Sequence, residues 1–92
     1  MNKELIFKQD PDCLVEEMDD ELLLFNPAKA ITLHLNGPSM VVWNLCNGEY
    51  SVAQMIDALQ DAFPEQAEQI EGDVLSVIKE LKENDVISEQ GG

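Results

Sequence analysis

Arginine is absent from this chain of 92 residues, and the only cations are Lys3, Lys8, Lys29, Lys79 and Lys82. Against them stand 19 acids, a net charge of −14 at pH 7. A duplex-binding surface needs cations to neutralise phosphates, so this balance excludes nucleic acid as a partner. It equally disfavours an anionic membrane surface. No apolar run approaches the length a membrane helix needs. The apolar part of Met1-Asn2-Lys3-Glu4-Leu5-Ile6-Phe7-Lys8 is too short for a secretion signal. A cytoplasmic protein is therefore expected.

Cysteine is equally scarce. Cys13 and Cys46 lie far apart and form no C-x-x-C pair, and one histidine cannot complete a zinc site with them. Two reduced, buried thiols are expected, with no metal and no cofactor. Also missing are a glycine-rich phosphate loop and a nucleophile beside a base, so enzymatic activity is not expected.

What is present is an ordinary apolar fraction of 45%, enough for one domain with one core. Residues 1–12 read as a flexible N-terminal arm or an edge strand, residues 13–88 as the domain, and residues 89–92 as a frayed tail. Within the domain, 13–18 and 21–25 read as strands around the Asp19-Asp20 turn. Ile31, Leu33 and Leu35 alternate with Thr32 and His34, the pattern of a half-buried strand over 30–35.

Three helices are expected next. Pro38 suits the first turn of a helix reaching Cys46, with Gly48 as a left-handed stop. Ser51-Val52-Ala53-Gln54 is a capping box that starts the second helix. Val52, Met55, Ile56, Leu59 and Phe63 form its apolar stripe. Pro64 ends it, and the third helix covers 65–83 with Ile70, Val74, Val77, Ile78 and Leu81 inward. Val86-Ile87 adds a short strand. The class is α+β: a three-stranded antiparallel sheet packed on three helices. Trp43 is expected at the junction of sheet and first helix, and Met18, Met40 and Met55 in packing roles.

The order Leu35-Asn36, Trp43, Asn47-Gly48, Ser51-Val52 and Asp73-Val74 leading to Leu81 resembles the PqqD-like family over residues 15–87. Those domains are winged helix-turn-helix-like peptide recognition elements of ribosomal peptide natural-product pathways. Members dedicated to pyrroloquinoline quinone carry a Tyr-Pro-Glu-Gly-like turn; here the place is held by Phe25-Asn26-Pro27-Ala28-Lys29.

The resemblance implies a non-catalytic chaperone that binds the leader of a precursor peptide by strand addition and delivers it to a modifying enzyme. That partner would be a radical S-adenosylmethionine protein, a cyclase or a protease. The groove would lie between residues 30–35 and the third helix. The residues expected to touch peptide are Ile31, Thr32, Leu33, His34, Leu35, Val74, Leu75, Ile78, Lys79 and Lys82. At about 100° per residue, Leu75, Lys79 and Lys82 share one flank of that helix, opposite Asp73, Ser76 and Glu80. An acidic leader would suit the lysines. An exposed edge strand also allows a homodimer.

Two other readings compete. One is a small acidic carrier protein, although Ser39, Ser51 and Ser76 lack an Asp-Ser-Leu context. The other is a ubiquitin-like sulfur carrier that would use Gly91-Gly92. A winged-helix transcription factor is opposed by the absence of a basic recognition helix.

Overall fold

A computed structural model describes residues 2–90. The chain runs β1 (Ile6–Gln9), β2 (Leu14–Glu17), β3 (Glu21–Asn26), β4 (Ile31–Asn36), α1 (Pro38–Leu45), β5 (Asn47–Ser51), α2 (Val52–Ala62), a 3-10 turn (Pro64–Gln66), α3 (Ala67–Glu83) and β6 (Ile87–Glu89). The class is α+β, as expected. The expected antiparallel sheet is β2-β3-β4, and a second one, β5-β1-β6, is added to it.

β2, β3 and β4 form two consecutive hairpins in register, with Leu22 opposite Leu35, Leu24 opposite Leu33 and Asn26 opposite Ile31. Because side chains alternate across a strand, Leu22, Leu24 and Leu35 turn together to the helices and are buried. They join Val42 and Trp43 of α1, Val52, Met55, Ile56 and Leu59 of α2, and Ile70, Val74, Ile78 and Leu81 of α3 in one core.

The second sheet corrects two expectations. Residues 6–9 are not an arm. β1 is the middle strand between β5 and β6, and Phe7 is fully buried in the core. Gly48 does not stop α1; it lies within β5 at φ +85°. There the register slips, Ile6 facing Ser51 and Lys8 facing Asn47. Between these pairs β5 carries two residues more than β1, and Gly48 takes the left-handed region there, where glycine carries no penalty.

Helix starts follow the local rules. Ser51 Oγ accepts from the Gln54 N–H at 3.2 Å, and Gln54 Oε1 accepts from the Ser51 N–H at 2.8 Å, which completes the capping box. Pro38 opens α1. α3 ends in a Schellman motif: the Val86 N–H donates to the Leu81 carbonyl and the Asp85 N–H to the Lys82 carbonyl. Its left-handed residue is Asp85 (φ +56°) rather than glycine. Glu89 lies inside β6, paired with Phe7, and the Gln90 N–H donates to the Ile6 carbonyl, so the ordered chain extends into the expected tail.

Candidate functional site

β4 pairs with β3 on one side only, so its other side is a sheet edge. Ser39 closes one end of that edge. The Asn36 N–H donates to Ser39 Oγ at 2.9 Å, and the Ser39 hydroxyl donates to the Asn36 carbonyl at 2.6 Å. Both backbone groups of Asn36 therefore point away from β3. In an antiparallel strand the direction alternates from residue to residue. Leu35, Leu33 and Ile31 thus bond to β3, while His34 and Thr32 turn their N–H and C=O outward.

α3 runs beside this edge, bonded to the sheet at one end and set across a hollow from it at the other. At one end Asn26 Nδ2 donates to the Asn84 carbonyl at 2.8 Å, and Lys29 Nζ lies 2.8 Å from Asp85 Oδ2 and 3.1 Å from the Glu83 carbonyl. At the other, Asn36, Pro38 and Ser39 share a hollow with Asp73, Ser76 and Val77. The lengths match: six strand residues span about 20 Å, and the 12 steps from Asp73 to Asp85 span about 18 Å of helix. Between these ends lies a groove. Its floor is half-buried Leu33 and Val77, both packed on the core. The hollow at its Asn36 end is about 230 Å³, smaller than a small-molecule pocket and suited to one side chain.

The family described as coenzyme PQQ synthesis protein D (PqqD) matches residues 21–87. The chain belongs to the PqqD family. No curated protein matches it. Its fold is similar to that of a solved structure, "TbiB1 in Complex with the TbiA(beta) Leader Peptide", with a TM-score of 0.74 and 16% identity, over 92% of this chain and 96% of that one.

In this PqqD-family chain the residues expected at the groove separate into three groups. Ile31, Thr32, Leu33 and His34 stand on the β4 edge, Thr32 and His34 exposed and the other two half-buried. Leu35, Val74 and Ile78 belong to the core, at 2%, 1% and 0% exposure, and cannot touch a ligand. Their helical or alternating spacing marked them as apolar, and that spacing serves core and groove alike. Leu75, Lys79 and Lys82 lie on the flank of α3 away from β4. Glu71 on that flank pairs with Lys3, and Lys82 lies 3.8 Å from Glu89 of β6. The groove instead receives Asp73, Ser76 and Val77, with Glu80 one turn further on.

The outer face of the β2-β3-β4 sheet carries a second apolar surface. Leu14, Val15, Glu16, Leu23, Phe25 and Thr32 line a shallow hollow there. Leu14 is 60% exposed, and Val15, Met18 and Phe25 are also open to solvent, so Met18 has no packing role. Trp43 and Met55 are buried, as expected.

The thiols are not poised for chemistry. Burial pushes Cys46 up from 9.0 to about 12. Cys13 is raised by partial burial first and by Asp10 second, with a hydrogen bond from the Phe25 backbone acting the other way. Both are free. Among the described residues no three His, Cys, Asp or Glu side chains gather as a metal site, and no helix is long and apolar enough to cross a membrane. Gly91-Gly92, on which the sulfur-carrier reading rests, lies outside the described residues.

Proposed function

We propose that this PqqD-family domain binds the leader of a ribosomally made precursor peptide as an added strand on β4, and presents it to a modifying enzyme without itself catalysing a reaction. The observation that carries the reading is the β4 edge. Thr32 and His34 offer two N–H and two C=O groups outward between closed ends, beside an apolar floor. Four backbone hydrogen bonds at about 0.5–1.5 kcal/mol each supply register and part of the affinity. Side chains entering the groove over Leu33 and Val77 supply the rest. The leader peptide in the structurally similar TbiB1 complex supports a peptide occupant. The exposed apolar face around Leu14 and Phe25 supports a protein partner, because such patches mark contact surfaces. Holding the leader there raises the effective concentration of the precursor at the partner's active site.

The test is calorimetric titration with synthetic leaders encoded by short reading frames adjacent to the gene. One-to-one binding at micromolar or tighter affinity is expected. Thr32→Pro removes only an outward N–H, so it should abolish binding while the unfolding midpoint holds. Leu33→Pro removes a ladder bond to β3 and should lower the midpoint as well. Undiminished binding by folded Thr32→Pro would refute strand addition at β4.

A further inference from the structure

We infer that the groove selects a cationic segment: an extended peptide with an apolar residue bracketed by two lysines or arginines, each two positions away. This rests on the proposed strand addition at β4 and names the class of peptide that fits there.

A strand paired with Thr32 and His34 sends every second side chain over Leu33, into the space against α3. On that side the α3 wall presents Asp73 and Glu80 around Val77. Among the described residues neither carboxylate takes part in an ion pair, so both are open to a ligand's cations, whereas Asp85 at the groove's far end is already taken by Lys29. The one lysine at the groove, Lys29, is held by Asp85 and the Glu83 carbonyl at its far end. Lys79 and Lys82, which would have favoured an acidic peptide, are on the opposite flank.

The spacing is set by geometry. Asp73 and Glu80 are seven residues apart, about 10.5 Å along the helix. Inward side chains of the added strand recur about every 6.7 Å, and positions i and i+4 are about 13 Å apart. Lysine stems span the remaining difference. The residue at i+2 then faces Val77 and Leu33, which calls for Leu, Ile or Val. The pattern is Lys/Arg-x-apolar-x-Lys/Arg.

Two capped twelve-residue peptides of extended-favouring sequence test this, one carrying Lys-Thr-Leu-Thr-Lys at its centre and its twin carrying Glu-Thr-Leu-Thr-Glu. Fluorescence anisotropy should show the lysine peptide binding at least tenfold tighter. The double variant Asp73→Lys/Glu80→Lys should reverse the order. Asp57→Lys/Asp61→Lys, which changes net charge equally on exposed positions of α2, should leave the preference in place. Equal binding of the twins, or the same loss of preference in both double variants, overturns the inference and leaves strand addition standing. Failure of both peptides to bind wild-type protein overturns strand addition and this inference with it. Binding of both that survives Thr32→Pro does the same.

Discussion

The side-chain amide of Asn26 at the end of β3 donates to the carbonyl of Asn84 at 2.8 Å, joining the sheet to the last turn of α3. Its Oδ1 accepts from the Ala28 N–H at 3.0 Å, so the same side chain also shapes the turn into β4. Asn26 is the one buried polar side chain among the described residues. Asn26→Leu keeps the branching of the side chain and removes both bonds. It should cost about 1–3 kcal/mol in urea unfolding. It should also weaken peptide binding, because the α3 wall of the groove is no longer tied to the sheet. Wild-type stability in this variant would mean that the tie contributes nothing.

Phe7 reports on the role of residues 6–9. A loose arm would tolerate Phe7→Ala without effect. A fully buried phenylalanine in the middle strand of a sheet should cost about 3–5 kcal/mol on truncation, comparable to Trp43→Ala. Guanidinium denaturation of the two variants side by side makes the comparison.

Cys46 makes stability fall at alkaline pH. Its folded pKa, about 12, lies above its ordinary value of 9.0. The unfolded thiol therefore loses its proton first. The stabilising contribution is complete below pH 9 and declines between pH 9 and about 12, by at most about 1.4 kcal/mol per pH unit. Cys46→Ala should flatten that part of the curve. In native protein at neutral pH, a thiol reagent should modify half-buried Cys13 slowly and Cys46 only on addition of denaturant. Rapid double labelling would contradict the buried placement.

Ala30 is held at φ +54° in the turn that opens β4. A left-handed conformation costs a non-glycine residue about 1–2 kcal/mol, and glycine returns about 0.5–1 kcal/mol of that through its looser unfolded chain. Ala30→Gly should therefore stabilise the protein by up to about 1 kcal/mol in thermal unfolding. It leaves the backbone of Thr32 and His34 in place, so peptide affinity should hold.

The parts of the fold legible in the sequence are those where one segment states its own environment. Ile31, Leu33 and Leu35 announce a half-buried strand by alternation, and Ser51 with Gln54 announces a helix start. β1 and β5 give no such signal. Ile6-Phe7-Lys8-Gln9 buries a single side chain completely, and Asn47-Gly48-Glu49-Tyr50-Ser51 is polar throughout. Both are strands because they pair with each other across the chain, which no local pattern encodes. The β4 edge could be read for the same reason β4 could. The α3 wall could not: a helical wheel separates Asp73, Ser76 and Glu80 from Leu75, Lys79 and Lys82, but only packing decides which flank meets β4.

The two sheets differ in how far along the chain their partners lie. β2, β3 and β4 are neighbours in sequence and can zip as successive hairpins. β1 must wait for β5 and then for β6, made from residues 87–89. The residues that make the β4 edge are therefore all synthesised before those of α3. An unguarded edge is a template for aggregation, and in this chain it emerges among acids: Glu16, Glu17, Asp19, Asp20 and Glu21 precede it. Mutual repulsion between copies then disfavours edge-to-edge pairing at the same surface that is proposed to hold the peptide.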